Sequence, residues 1–268
     1  MKYSQAEKRR ERTERLAMWM DPDRFQRICE EYREFGPKEP SGIGTLSEKS
    51  LHAVLKRYYQ PAEAYREIRV GRYVADVVMQ DGCIVEIQTR SLSSIKKKLA
   101  VFLEQYEVVL VHPVPHLRWM RTVEGETGLT GPRRRCGREG CVWDAFRELS
   151  FLHDFLARPN LHIVLPLVDV EELRLKGSRR NARVDRIPAG LFDEIRLFSP
   201  QDYWELLPEG LPELFSTREV SRLLGVSPDT ARLILYVMFH AGALLRAGKE
   251  GNRFLYCRNR EVRRLPKQ

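Results

Sequence analysis

The residues that could do chemistry gather in residues 73–90, where apolar and polar side chains alternate with the period of a β-strand. A three-residue hairpin loop, 80–82, with Gly82 in the left-handed conformation, would place Asp76 directly opposite Glu86 on the next strand. Two carboxylates that face each other at about 5 Å repel unless a positive charge lies between them. Mg²⁺ prefers such oxygen ligands, and it can polarise a phosphoryl group and activate a water molecule. The spacing therefore predicts a divalent-metal site, with Mg²⁺ or Mn²⁺ as its ion.

The same register pairs Ala75 with Ile87 and Val77 with Val85 on the opposite strand face. That face is then apolar throughout and suited to packing against a helix. The alternative is that the two carboxylates are ordinary solvent-facing residues on an open sheet. Apolar neighbours on the carboxylate face favour at least partial burial, where an unpaired carboxylate would need a partner.

Gln88 lies on the strand face of the second carboxylate and is the candidate for orienting a water molecule. Its amide neither takes nor gives a proton, so it cannot act as a general base. The predicted helix 92–105 has an apolar stripe that leaves Lys96 and Lys98 at its borders and Lys97 in solvent. Lys98 is therefore a candidate cation for a phosphate, although the three lysines could instead only solvate the helix.

The elements that must position these residues have the order αβββαβ. Period and turn chemistry predict a helix, three strands, a second helix and a fourth strand. An additional strand, helix and strand extend the same sheet, so the predicted fold class is α/β. The predicted ranges are 46–58, 65–70, 72–79, 83–89, 92–105 and 107–112 for the core, and 117–123, 142–157 and 161–170 for the extension.

The pattern of Asp76, nine further residues and Glu86-Ile87-Gln88 resembles the PD-(D/E)XK, or restriction-endonuclease-like, nuclease superfamily. It matches the ExQ variant of that motif, in which Gln replaces the final Lys. The resemblance covers residues 45–112, and the element order carries as much of it as the short motif does. It implies a restriction-endonuclease-like core with a mixed sheet that hydrolyses phosphodiester bonds, most naturally in DNA. It also implies a metal ion held by Asp76, Glu86 and the backbone carbonyl of Ile87.

Two further sets of candidate ligands are weaker. Glu48 corresponds to an extra acidic residue that many members of the superfamily carry in the first helix, but its position also fits a capping box at the helix N-terminus. Cys136 and Cys141 could join His112 and His116 in a zinc site. The spacing of these four residues is loose for zinc, and two thiols in a basic loop are the simpler interpretation.

The chain carries a formal net charge of +9, which points to an acidic polymer as its partner. Two basic segments concentrate this charge, 132–138 in a Gly- and Arg-rich loop and 176–186 in a segment predicted to be a loop or disordered. Their arginines are the predicted contacts to nucleic-acid phosphates, with solvated loops as the alternative. These arginines are Arg133, Arg134, Arg135, Arg179, Arg180 and Arg183.

Three regions follow from changes in composition and pattern. Residues 1–44 form an N-terminal helical segment and linker, with one amphipathic helix on either side of Asp21-Pro22. Residues 45–198 form the nuclease-like α/β domain, divided into the core 45–112 and the extension 113–198. Residues 199–268 form a small C-terminal winged helix-turn-helix domain.

The C-terminal domain is predicted from its caps and turns. A capping box at Ser216 starts one helix, and Ser227-Pro228 starts a second that ends at Gly242, before a hairpin. Helix, turn, helix and hairpin is the winged-helix order. The second helix is apolar around most of its circumference, and Arg232 lies on its small polar face. Contact with DNA therefore competes with packing on the α/β domain, a homodimer partner or another protein.

The absence of any run of about 18 apolar residues, together with the charged N-terminus, predicts a cytoplasmic protein without a membrane segment. Five cysteines at irregular spacing argue against a disulfide framework. The leading predicted function is a metal-dependent nuclease that acts on DNA. The alternative is a nuclease-like protein that has lost catalysis and binds nucleic acid or regulates, and Gln88 is the residue that keeps this alternative open.

Overall fold

Residues 20–35, 49–124, 130–177 and 183–260 are described by the computed structural model of the protein. The architecture is mixed α/β with a large mixed sheet, which confirms the predicted class. The chain divides into two compact units. The first unit is formed by Met1–Arg66, Pro115–Glu139 and Pro166–Glu194, as far as these ranges are described, and the second by Glu67–Val114, Gly140–Leu165 and Ile195–Gln268, likewise.

The helices and strands are numbered here in chain order. The helices are α1 (Pro22–Phe35), α2 (Ser50–Tyr59), α3 (Lys96–Gln105), α4 (Phe146–Ser150), α5 (Pro200–Glu205), α6 (Thr217–Leu224) and α7 (Pro228–His240). The strands are β1 (Arg66–Val70), β2 (Tyr73–Val78), β3 (Ile84–Ile87), β4 (Val108–Val111), β5 (Val114–Val123), β6 (Arg134–Arg135), β7 (Leu161–Leu175), β8 (Arg183–Leu197), β9 (Leu244–Glu250) and β10 (Arg253–Arg258). Short 3₁₀ turns occupy Glu63–Tyr65, Leu92–Ile95 and Val142–Ala145.

The predicted order of helix, three strands, helix and strand is confirmed along the chain by α2, β1, β2, β3, α3 and β4. In the second unit the strands lie in the order β1, β2, β3, β4 and then the first residues of β7. β2 and β3 are antiparallel, whereas β4 is parallel to both β3 and β7. All residues of β3 and β4 are buried, as expected for inner strands of a sheet covered on both faces.

The hairpin between β2 and β3 has the predicted register. Val77 pairs with Val85, as the alternation of side chains predicted. The N–H of Met79 donates to the Cys83 carbonyl at 2.8 Å, and the N–H of Gly82 donates to the Met79 carbonyl at 2.8 Å. Gly82 has φ of +81°, a conformation that costs glycine little and other residues more. The three-residue loop 80–82 is therefore confirmed.

The first unit corrects one sequence prediction. Residues 183–186 were predicted to belong to a loop or a disordered segment, but they form the start of the 15-residue strand β8, which pairs with β7. Strand pairing satisfies their backbone hydrogen bonds, so a charged sequence with few apolar residues can still be ordered. In the same unit β5 lies between β7 and β6.

The N-terminal prediction is confirmed for its second helix. That helix, α1, buries Phe25 against Tyr58 of α2, with the ring centroids 5.2 Å apart in an edge-to-face arrangement. The N–H of Asp21, just before α1, donates to the Tyr58 hydroxyl at 2.8 Å. The predicted helix before Asp21 lies outside the described residues.

The C-terminal residues have the predicted order of helix, turn, helix and hairpin in α6, α7, β9 and β10. Ser216 and Glu219 form the predicted capping box of α6, and Gly225 ends this helix with φ of +64°. The helix α7 packs against α4, α6 and β9 and buries Ile234, Val237 and Met238 completely. None of the helices that the structure describes has the length and apolar character needed to cross a membrane.

Candidate functional site

Asp76 of β2 and Glu86 of β3 meet on one face of the hairpin. The backbone N–H of Asp76 donates to Glu86 Oε2 at 3.4 Å, and the backbone N–H of Ile87 donates to Asp76 Oδ2 at 2.8 Å. Glu86 is 5% exposed, while Asp76 is half-buried. The two carboxylates that the sequence placed opposite each other are therefore brought together, one of them in a largely dry environment.

Lys98 of α3 supplies the cation beside this pair. Its Nζ donates a hydrogen bond to Glu86 Oε1, and its side chain is only 20% exposed. Burial and the nearby charge of Asp76 raise the pKa of Glu86 to about 8, while the Lys98 ammonium acts in the opposite direction. Of the other two lysines, Lys96 pairs with Asp154 at 3.2 Å and Lys97 is exposed.

The side chain of Gln88 contacts the turn that leads into α3. Its side-chain amide N–H groups donate to Ser94 Oγ at 2.6 Å and to the Ser91 carbonyl at 3.2 Å. Its backbone carbonyl accepts a hydrogen bond from His112 Nδ1 at 2.6 Å. The Gln88 side chain thus ties the end of β3 to the turn that starts α3, and the role of orienting a water molecule stays a prediction.

Glu148 of α4 is a positioning residue that the sequence did not reveal. Its Oε2 accepts hydrogen bonds from Ser91 Oγ at 2.9 Å and from the backbone N–H of Leu92 at 2.7 Å. These bonds hold the turn from which α3 and Lys98 continue. Glu148 lies more than fifty residues along the chain from that turn, so no local spacing signalled the contact.

The donor set fits a hard divalent cation better than a softer metal. Within the described ranges no group of three or more His, Cys, Asp or Glu side chains is arranged to hold a metal ion. Mg²⁺, however, is commonly held by one or two carboxylates, with water and phosphate completing its shell. Asp76 and Glu86 provide two such carboxylates, and the Ile87 carbonyl stays a predicted third ligand. Glu48 lies outside the described residues.

The histidines of the zinc alternative have other partners. His116 Nδ1 lies 2.8 Å from Asp169 Oδ1, and the His116 ring stacks on Phe192 with centroids 3.8 Å apart. His112 is bound to the Gln88 carbonyl, as described above. These contacts account for the two histidines without a metal ion.

The predicted nucleic-acid contacts fall into several environments. Arg133 lies 3.4 Å from Glu171 and 4.1 Å from the centre of the Trp119 ring, and Arg135 pairs with Glu139 at 2.5 Å. Arg134 is exposed. Arg183 lies beside Glu172, Arg232 is 69% exposed and pairs with Asp229, and Arg179 and Arg180 lie outside the described residues.

Comparison with known proteins adds a family but no activity. A protein of Treponema pallidum (strain Nichols), described as an uncharacterized protein, is 30% identical over 141 residues, which is 53% of this chain and 56% of that protein. The chain thus spans about half the length of that relative. No solved structure matches the chain. The family model described as a domain of unknown function, DUF8091, matches residues 49–197. Since this match covers more than half of the 268 residues, the protein belongs to the DUF8091 family.

Proposed function

We propose that this protein is a metal-dependent nuclease of the restriction-endonuclease-like type, which hydrolyses phosphodiester bonds in DNA. The observation that carries the proposal is the contact of Asp76, Glu86 and Lys98 at the β2–β3 hairpin. Two carboxylates face one ammonium there, so ionising both leaves one negative charge in excess, and burial and the charge of Asp76 oppose this by raising the pKa of Glu86. A divalent cation is the simplest group that would neutralise this excess in a half-buried site.

Asp76, Glu86 and the Ile87 carbonyl would hold Mg²⁺ or Mn²⁺. When bound, such an ion polarises a phosphoryl oxygen and lowers the pKa of a coordinated water molecule. The backbone N–H of Ile87 fixes the orientation of the Asp76 carboxylate, and the hairpin register fixes that of Glu86. Both ligands therefore come from strands rather than loops, which favours a site of constant geometry.

Lys98 supplies the positive charge that the neutral amide of Gln88 lacks. Its ammonium lies at Glu86 and can donate to a non-bridging oxygen of the phosphate, where it stabilises the negative charge that grows in the transition state. Gln88 and Glu148 hold the turn before α3 and thereby set the position of Lys98. In this assignment Gln88 is a positioning residue.

In this proposal the C-terminal residues 199–260 form a winged-helix-like module. The apolar circumference of α7 is used in packing against α4, which leaves Arg232 on the exposed side of the helix. The hairpin β9–β10 adds exposed basic residues, with Arg246 and Lys249 at 4.3 and 4.7 Å from the centre of the Phe254 ring. We propose that this module contacts substrate DNA or a protein partner in the cytoplasm.

A second candidate function is a nuclease-like protein without catalysis that binds nucleic acid. The engagement of the Gln88 amide by Ser91 and Ser94 favours it, because that amide is directed to a structural contact. The two functions differ in one measurable property, which is cleavage in the presence of a divalent metal.

The deciding experiment is a cleavage assay on plasmid and single-stranded DNA with Mg²⁺ or Mn²⁺. The full chain should cleave, and both EDTA and Asp76→Asn should lower the rate by at least about a hundredfold, as expected for loss of a metal site. Asp81→Asn, which changes an exposed acid in the same hairpin, is the matched control and should retain activity. Binding of DNA without any metal-dependent cleavage would support the second function instead.

A further inference from the structure

The first unit contains an arginine cluster, defined here as Arg174, Arg183 and Arg186 around the carboxylate of Glu172. Arg174 Nη2 donates to Glu172 Oε2 at 2.8 Å. Arg183 Nη1 and Arg186 Nη2 both lie 3.5 Å from Glu172 Oε1. Glu172 is 7% exposed, so three guanidinium groups share one buried carboxylate.

The charges of this cluster do not balance. Burial and the charge of Arg183 lower the pKa of Arg186, and Arg118 of β5 acts in the same direction, so two neighbouring guanidinium groups disfavour the charged form of Arg186. One carboxylate among them leaves a strong positive excess. Like charges in a partly dry environment are costly unless a further anion joins them.

Unused hydrogen-bond donors accompany the excess charge. The Nε atoms of Arg174 and Arg186 are buried and have no hydrogen-bond partner within the described part of the chain. A buried N–H without an acceptor destabilises the folded protein. A tetrahedral anion with several acceptor oxygens would neutralise the excess charge and could accept from such donors, and arginine binds phosphate in this manner through paired N–H groups.

We propose that the arginine cluster binds a backbone phosphate of nucleic acid, with Arg183 as its most exposed member and Glu172 as the group that orders the guanidinium groups before binding. The inference rests on the proposed function for its choice of ligand, because the phosphates of a DNA substrate are the anions that such an enzyme meets. It assigns binding roles to Arg174 and Arg186. Arg183 lies on the paired strand β8 and not in a loop, and strand pairing fixes its backbone geometry.

The test uses two substitutions that change the charge in opposite directions. Arg183→Gln removes one phosphate contact from a residue that is 41% exposed, so the fold should tolerate it. Glu172→Gln removes the only carboxylate charge in the cluster but keeps a side-chain oxygen that can accept from Arg174, so the guanidinium groups stay ordered and binding of polyanions should become stronger. Arg69→Gln, an exposed arginine on β1 in the second unit, is the matched control for net charge.

Binding of labelled duplex DNA is measured by fluorescence anisotropy across a range of salt concentrations. All proteins carry Asp76→Asn, so binding is read without cleavage and a failure of the nuclease proposal does not affect the result. Arg183→Gln should reduce the slope of log affinity against log salt by about 0.9, the value for one duplex phosphate contact. Arg69→Gln should leave the slope unchanged, and Glu172→Gln should raise the affinity several-fold.

Inorganic phosphate is the second probe, and it distinguishes binding of free phosphate from binding of a nucleic-acid phosphate. Its effect on Tm can also be measured for a variant that is too unstable for binding assays. At constant ionic strength, phosphate should raise the Tm of the wild type more than that of Arg183→Gln, and duplex DNA should compete for the same site. If Glu172→Gln is too unstable for binding assays, a larger rise of its Tm in phosphate than in chloride gives the same information. An unchanged salt slope in Arg183→Gln, weaker binding by folded Glu172→Gln, or a phosphate effect that DNA cannot compete with would each overturn the proposal.

Discussion

Glu86 is the residue at which opposing electrostatic effects meet. Burial and Asp76 disfavour its charged form, whereas the hydrogen bond from Lys98 favours it. A carboxylate in this position is costly to the fold unless a cation is present, and a site that costs stability is usually retained for its function. The consequences can be tested by changing either side of the contact.

Glu86→Gln should strongly reduce the stabilisation of the protein by Mg²⁺. At a Mg²⁺ concentration about a hundredfold above its Kd, the wild type should gain about 2.7 kcal/mol, which follows from binding to the folded state alone. The glutamine variant offers one carboxylate fewer and should gain far less. The measurement is urea unfolding with Mg²⁺ and with EDTA, and Glu104→Gln on the exposed side of α3 is the control. An equal gain in both variants would place the metal elsewhere.

Lys98→Gln should destabilise the metal-free protein by about 1–3 kcal/mol, since it leaves a buried carboxylate without its charged donor. Mg²⁺ should restore part of this loss, because the ion would supply positive charge at the same carboxylate. Lys97→Gln, one residue away but exposed, should change stability by less than about 0.5 kcal/mol. Thermal unfolding of the three proteins in EDTA checks the order, and similar values for both variants would contradict the role given to Lys98.

Among the elements, helix α7 connects the C-terminal residues to α4 within the second unit. It buries its apolar side chains against α4, and α4 in turn carries Glu148, which holds the turn before α3. A chain of contacts within one unit therefore runs from α7 to the candidate site. The helix cannot use its apolar face for DNA, because that face is occupied by packing.

Met238→Ala should test this packing. Met238 is fully buried in α7, and truncation of such a side chain typically costs about 2–5 kcal/mol. Arg232→Ala, on the exposed side of the same helix, should cost less than about 0.5 kcal/mol. Chemical denaturation gives both values. A loss below about 1 kcal/mol in Met238→Ala would show that α7 does not support the unit in this way.

The molecule as a whole has a net charge of +9, and in the first unit three arginines share the carboxylate of Glu172. In the first unit, burial raises the pKa of Glu172, but the hydrogen bond from Arg174 and the charges of Arg186 and Arg183 outweigh it and hold that pKa below its ordinary value. A carboxyl whose pKa is lower in the folded state binds fewer protons there than in the unfolded chain. Its contribution to stability is present above the unfolded pKa of 4.5 and is lost as the pH falls.

The stability difference between wild type and Glu172→Gln should therefore depend on pH. It should be largest between about pH 6 and 7, where Glu172 is charged in both states, and should shrink as the pH falls below the ordinary carboxyl range. Urea unfolding at a series of pH values gives the two curves. A difference that stays constant into acid would mean that the carboxylate charge of Glu172 does not stabilise the fold.

The local features of this protein were determined by its sequence. The alternation in residues 73–90 and the glycine at position 82 allow one hairpin register, so Asp76 and Glu86 had to face each other. The capping box at Ser216 and the turn at Gly225 likewise define α6 by contacts within a few residues. Periodicity and turn chemistry act over short distances along the chain, so the sequence alone determines them.

Only the tertiary structure decided which distant groups meet. Three consecutive lysines are nearly equivalent in the sequence, but Asp154 binds Lys96 and Glu86 binds Lys98, leaving Lys97 in solvent. The amide of Gln88 donates to Ser94, and residues 183–186, predicted as a loop or a disordered segment, lie in strand β8, which pairs with β7. These outcomes depend on burial and on partners far along the chain, whose positions exist only once the sheet has formed, and local patterns do not encode them.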